Sequence, residues 1–224
     1  NTILPCMNYS ACNTRLMTNF QNQLKTAETH LAKNDPIIGS LINKYGKCQL
    51  KPHENYYQEL ASGIIGQQLS VKVADVIWQR FLNIFNGLMP SPAQIIETDK
   101  EVLCTCGISY RKCSYLKDLA QQIDNKNIEI EKLITKPNDE IINELCQVKG
   151  IGPWSVHMFL IFSLGRLNVL PYSDYGIRKS IMLLYKFESM PDKKLIEEIA
   201  KNKSWTSYES VAAWYLWKNL GNKS

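Results

Sequence analysis

Two short stretches hold the residues with the most chemical promise, Val148-Lys-Gly-Ile-Gly-Pro-Trp154 and Leu170-Pro-Tyr-Ser-Asp-Tyr-Gly-Ile-Arg178. The first sets Gly150 and Gly152 two apart between an apolar-faced segment and a second apolar run, Val156 to Leu164. Glycines accept positive φ, so the backbone can reverse sharply there, and Pro153 suits the first position of a following helix. Such a reversal exposes main chain whose amides, at a helix N-terminus, attract a phosphate oxygen. An ordinary helix-glycine-helix connection has the same signature. In the second stretch Asp174 stands at the start of a helix with Ile177, Ile181 and Leu184 on its periodic face. A carboxylate there is either a plain N-cap or a group available for chemistry, and the residue alone leaves both open.

The elements that must position these groups are helical nearly throughout, because apolar residues return every three or four places and no sustained alternation marks a half-buried strand. The pattern predicts helices from about Asn13 to His30, Asp35 to Tyr45, Tyr56 to Leu69, Val71 to Asn83, Pro92 to Glu97, Lys100 to Cys106 and Arg111 to Ile128. The Lys47 to His53 stretch, with Pro52, is a connection, and Gly87, Pro90 and Pro92 break the pattern between Phe85 and Pro92. Asn138 is expected to cap a helix whose first turn holds Asp139 and Glu140 and which ends at Gly150. The fold class is all-α.

With 224 residues and 45% hydrophobic content the chain can bury a sizeable core. A formal charge of +5 is compatible with a polyanionic partner without requiring one. Seven cysteines, Cys6, Cys12, Cys48, Cys104, Cys106, Cys113 and Cys146, are odd in number and scattered, which favours a reducing, intracellular compartment over a disulfide framework. The Cys104, Cys106 and Cys113 cluster is unevenly spaced and has no histidine near it, short of a four-ligand metal set, and His30, His53 and His157 are too far apart for a metal triad. No run approaches the roughly 18 apolar residues of a membrane span, nor does the start of the chain show signal-peptide order, so a soluble protein without membrane contact is expected. The numbering opens at Asn1 with no methionine and is silent about a leader.

The Val148 to Trp154 segment closely resembles the hairpin of the helix-hairpin-helix DNA glycosylase superfamily. That resemblance implies that backbone groups around Lys149, Gly150, Ile151 and Gly152 grip one phosphate of double-stranded DNA. It further implies that the carbonyls of Cys146, Val148 and Ile151 hold a monovalent cation, K⁺ or Na⁺, when DNA is bound, with no other cofactor required. In that superfamily a catalytic aspartate follows the hairpin at this distance, and here it matches Asp174; the second acidic residue common just before it is replaced by Ser173. Cleaving the bond between base and deoxyribose builds positive charge on the sugar, which a fixed anion stabilises while orienting or deprotonating the attacking water.

Branches that also nick the backbone carry a Schiff-base lysine two residues after the second glycine, where this chain has Trp154, and other branches carry a four-cysteine cluster near the C-terminus, whereas no cysteine follows Cys146. The remaining resemblance, over roughly Tyr56 to Leu220, is to the 3-methyladenine DNA glycosylase II family. Three stretches carry it: Ala61-Ser-Gly-Ile-Ile-Gly-Gln-Gln-Leu-Ser70, Gly107-Ile-Ser-Tyr-Arg-Lys-Cys-Ser-Tyr-Leu-Lys-Asp-Leu119 and Tyr208-Glu-Ser-Val-Ala-Ala-Trp-Tyr-Leu-Trp217. It implies a monofunctional enzyme acting as a monomer in the bacterial nucleoid or the eukaryotic nucleus. Trp154, Met158 and Trp217 would form an aromatic-rich pocket for a cationic base. The segment Gln67, Gln68, Leu69 would fill the gap left by the flipped nucleotide, with Gln68 or Leu69 as the wedge, and Arg111, with Tyr110 and Lys112, would meet DNA. The family's two helical lobes would fall at residues 1–55 with 166–224 and at 56–165, with the active-site cleft between them. Candidate lesions are 3-methyladenine, 7-methylguanine, 1-methyladenine, ethenoadenine and hypoxanthine. The alternative from another class is a non-catalytic helix-hairpin-helix DNA-binding protein in which Asp174 only caps its helix.

Overall fold

Segments with a three-to-four-residue apolar repeat fold as helices, and no strand occurs among the described residues. The computed structural model describes the backbone of residues 9–221 and the side chains of residues 18–221. Cys6 and the side chain of Cys12 lie outside them. Twelve α-helices are described: α1 (Tyr9–Asn34), α2 (Pro36–Tyr45), α3 (Tyr56–Gly66), α4 (Val71–Ile84), α5 (Pro92–Glu97), α6 (Lys100–Cys104), α7 (Tyr110–Asp124), α8 (Asn138–Leu145), α9 (Pro153–Met158), α10 (Tyr175–Leu184), α11 (Lys193–Asn202) and α12 (Glu209–Asn219). Among the described residues no helix is long and apolar enough to cross a membrane.

The chain forms two compact units, one of residues up to Leu50 together with those from Leu170 onward, the other Lys51–Val169. In the first, α2 packs on α1 and α12, and α10 on α12. Its interior is tied by a fully buried carboxylate. Asp35 caps α2 through Oδ1, which accepts from the Ile37 amide at 2.9 Å, while Oδ2 accepts from the buried Trp205 indole at 2.8 Å and from the Tyr185 hydroxyl. Burial, and then the bond to this anion, push the Tyr185 phenol far above its ordinary pKa, so it stays a donor. Glu28 Oε1 lies 2.8 Å from the Tyr215 hydroxyl, joining α1 to α12.

In the second unit α7 packs against α5, α6 and α3. Leu116 and Leu119 of α7 are fully buried, as are Ile95 of α5 and Leu103 of α6. Local expectations fail here in several places, α6 ending at Cys104 rather than Cys106 and α8 at Leu145, well before Gly150. α3 stops at Gly66, short of Leu69, because Gln68 takes a left-handed φ of 61° and turns the chain. α7 ends at Asp124, short of Ile128, where Lys126 at φ 60° lets the amides of Asn127 and Ile128 both reach the Gln122 carbonyl. Asn138 does not cap α8: Pro137 holds the cap position without a side-chain bond, Asn138 is itself the first helical residue, and its side-chain N–H donates to Asn168 at 3.1 Å. A short 3-10 stretch, Ile130–Thr135, was not visible in the pattern, and the apolar run after Pro153 continues from α9 into a π-helical turn, Phe159–Ser163.

Candidate active site

Between α8 and α9 the chain reverses over seven residues. Gly150 has φ 83°, and a Cβ there would stand 2.1 Å from the Tyr115 ring, so both conformation and packing exclude a side chain. Gly152 departs from expectation. Its φ is −110°, extended as the residue before a proline prefers, and a Cβ would meet nothing within 4 Å. Its lack of a side chain therefore has no explanation inside the unit and leaves the turn's outer surface open. Pro153 starts α9, as expected.

α7 braces this turn with residues spaced three apart. Tyr115 lies flat beneath Gly150, and Asp118 accepts from the Lys149 amide at 2.8 Å while its other oxygen lies 3.3 Å from the Lys149 ammonium. The Lys149 side chain is still 73% exposed, so this ion pair is a weak surface one. Of the three turn carbonyls considered for a cation, that of Val148 accepts from the Ile151 amide at 3.1 Å. Cys146, Val148 and Ile151 lie outside both helices, so their oxygens are not consumed by a helical ladder. Neutral carbonyl oxygens without a carboxylate among them suit a singly charged ion better than a divalent one.

The loop after α3 is held against the same turn. The Gln67 side-chain amide donates to the Gly150 carbonyl at 2.8 Å. The Lys112 ammonium donates to the carbonyls of Ile65 and Gln67, both at 2.7 Å, which closes the C-terminal end of α3 with a cation. Lys112 thus spends two of its donors inside the unit, and desolvation, with a smaller contribution from nearby Arg111, lowers its pKa. Arg111 and Tyr110 are exposed, as is Gln68; Leu69 is half-buried. The support given by Lys112, Tyr115 and Asp118 was missed at the sequence level. Their three-residue spacing along α7 was the available signal.

Within this unit a cavity of about 790 Å³, in the range of small-molecule sites, is lined by Gln58, Ser62, Gly63, Trp78, Trp154 and Met158, among others. Trp154 is 46% exposed and Met158, one turn on, is half-buried. Thus Trp154 and Met158 share one wall. Cys104 Sγ and Cys113 Sγ lie 3.0 Å apart on α6 and α7; burial pushes the Cys113 thiol up to about 12.

In the other unit Asp174 is the N-cap of α10. Its Oδ1 accepts from the Ile177 amide at 2.9 Å and from the Trp217 indole at 2.8 Å. Both bonds land on one oxygen and fix the carboxylate plane. Trp217, expected as a pocket wall, is only 6% exposed, and its edge serves the carboxylate. Ser173 beside it is exposed.

A family model described as HhH-GPD superfamily base excision DNA repair protein matches residues 61–204. The chain is 36% identical over 203 residues to DNA-3-methyladenine glycosylase 1 of Schizosaccharomyces pombe, covering 87% of each. It is 34% identical over 202 residues to the alkylbase DNA glycosidase-like protein mag2 of the same yeast, covering 87% of this chain and 92% of that one. Among solved structures, that of S. pombe 3-methyladenine DNA glycosylase Mag1 in complex with abasic DNA superposes with a TM-score of 0.77 at 34% identity, covering 88% of this chain and 97% of Mag1.

Proposed function

Because the chain belongs to the HhH-GPD superfamily of base excision DNA repair proteins, we propose that it is a monofunctional DNA glycosylase hydrolysing the N-glycosidic bond of alkylated purines, 3-methyladenine among them, in duplex DNA. The observation that carries this reading is Asp174, a carboxylate oriented by a backbone amide and a buried indole at the start of α10. As the bond to the base lengthens, positive charge grows on the deoxyribose, and the Asp174 anion stabilises it. The water oxygen bonds to the anomeric carbon, its proton passes to Asp174, and the base leaves with the bonding electron pair. A purine alkylated at N3 or N7, such as 3-methyladenine or 7-methylguanine, carries a positive charge before cleavage and departs neutral, so no acid is needed to protonate it.

The hairpin supplies the anchor. The amides of Gly150 and Gly152 take one phosphate, the Ile151 amide holding the turn closed through the Val148 carbonyl, and the missing Cβ of Gly152 lets the phosphate approach. The carbonyls of Cys146, Val148 and Ile151 would hold a K⁺ or Na⁺ that neutralises part of the phosphate charge; the reaction itself needs no cofactor. Trp154 and Met158 form the base-contacting wall, with the exposed indole face suited to a cationic purine. Trp217 positions Asp174. Gln68, exposed and in a left-handed conformation, is better placed than half-buried Leu69 to enter the stack. Gln67 holds the loop, and Arg111 meets the DNA backbone. The protein acts as a monomer on nuclear or nucleoid DNA.

Trp154 stands where a lyase would carry its lysine, and the Lys149 ammonium lies beside Asp118, so no Schiff base is expected. The test is incubation with duplex holding a single 3-methyladenine or 7-methylguanine, with and without borohydride. Strand breaks appearing only after hot alkali, with no trapped protein, support the proposal. Intact strands would instead identify a non-catalytic DNA-binding protein, and a trapped complex a lyase.

A further inference from the structure

We infer that Lys112 is a positioning residue, anchoring the loop after α3 through the Ile65 and Gln67 carbonyls, while Gln67 extends that hold to the hairpin through the Gly150 carbonyl. The segment that enters the DNA stack and the turn that grips a phosphate are thereby set as one piece. The inference rests on the glycosylase reading for its consequence in catalysis but not for its geometry, which lies wholly within the Lys51–Val169 unit.

An ammonium has three donors, and two of those of Lys112 are spent at 2.7 Å on main-chain oxygens of the loop after α3. Its neighbour Arg111 is the exposed cation of the pair. Gln68 holds φ 61°, a conformation that residues with a Cβ keep only where their surroundings impose it. The surroundings here are two clamps on adjacent residues. Lys112 takes the carbonyls of Ile65 and Gln67 from the α7 side, and the Gln67 side chain takes Gly150 from the hairpin side. Both clamps fall on the residues just before Gln68, and just after it the Leu69 amide donates to the Gly66 carbonyl at 3.1 Å, so the Gln68 side chain is presented outward at a fixed place relative to the phosphate site. The same α7 carries Tyr115 under Gly150 and Asp118 under Lys149, so one helix sets both ends of the DNA-contacting surface of this unit.

The test compares Lys112→Met, Lys112→Arg and Arg111→Ala in the full chain. In the absence of DNA, hydrogen exchange is expected to rise in the peptide covering residues 66–70 for Lys112→Met and to stay at the wild-type level for Arg111→Ala. The dependence of duplex affinity on salt should keep its slope in Lys112→Met and lose about one unit in Arg111→Ala, the mark of one lost phosphate contact. Single-turnover release of 7-methylguanine should slow about 10- to 100-fold in Lys112→Met, as for other misplaced groups, and recover in Lys112→Arg, which keeps the donors. Should Lys112→Met fail to fold, Gln67→Ala cuts the second clamp and is expected to slow release in the same way with the salt slope unchanged. Wild-type exchange in residues 66–70 of Lys112→Met, or a slope that falls by about one in that variant, overturns the inference. Absence of base release by the wild-type protein would instead overturn the proposed function and leave the exchange result to decide the role of Lys112.

Discussion

At the scale of single residues, the two accounts that sequence allowed for Asp174 turn out to use one atom. Oδ1 is the N-cap acceptor for Ile177 and also the acceptor for Trp217, so capping and orienting are the same act. Asp174→Asn keeps a carbonyl oxygen for both bonds and removes only the charge. Base release should then fall about 10²- to 10⁴-fold while duplex affinity and melting temperature stay near wild type, as measured by single-turnover kinetics and fluorescence anisotropy. Trp217→Phe keeps the buried ring and deletes the N–H. If the indole acts on the carboxylate, kcat should drop about tenfold, roughly 1.4 kcal/mol of transition-state stabilisation, with KM unchanged. A raised KM would return Trp217 to the pocket wall. That Asp174 would stand at a helix start was legible from the local pattern, and a catalytic part only from the family resemblance, but its partner was not: the two are 43 residues apart, and no local pattern announces that an indole edge will face a carboxylate.

At the scale of elements, helices whose boundaries are set locally could be foreseen, such as α2 behind Asp35 or α5, closed by the Ser91 and Gln94 capping box. Boundaries set by partners far along the chain could not. α3 ends where Lys112, some 45 residues on, takes the carbonyls of Ile65 and Gln67. The hairpin was foreseen as two equivalent glycines, yet they do different work. Gly150→Ala forces a Cβ into the Tyr115 ring at positive φ and should destabilise the unit by about 2 kcal/mol or more, read as a lowered denaturant midpoint. Gly152→Ala meets no internal atom and should change stability by less than about 0.5 kcal/mol. Its effect should appear on DNA, as weaker duplex binding at unchanged melting temperature, because the added methyl occupies the approach proposed for the phosphate. Equal binding by Gly152→Ala and wild type would mean that the phosphate sits elsewhere on the turn.

At the scale of the whole molecule, the unit that carries Asp174 is assembled from both ends of the chain, and its closure depends on contacts that join them. Periodicity identified α1, α2 and α10 as helices with an apolar face but did not mark α12, whose residues Ser210 to Trp217 are buried on every side, and it could not say that the four would share a core, since sequence separation hides which faces meet. The buried Asp35 is where that joining is most exposed to a single change. It satisfies the α2 amides, the Trp205 indole and the Tyr185 hydroxyl, the last two about 150 or more residues away. Asp35→Ala removes a cap worth about 1 kcal/mol and orphans two buried donors at roughly 1 to 3 kcal/mol each, so a loss of about 3 kcal/mol or more is expected. Asp192 provides the internal control, because it caps α11 through the Leu195 amide at 2.9 Å on an exposed surface with no second partner among its described bonds. Asp192→Ala should cost only the cap, about 1 kcal/mol. For a chain of this size the two changes correspond to melting-temperature falls of about 6–12 °C and 2–4 °C. Similar falls for both would show that Asp35 acts as a local cap alone. A threefold larger fall for Asp35→Ala would show that the returning C-terminal segment, and Asp174 with it, is held to the N-terminal helices through this carboxylate.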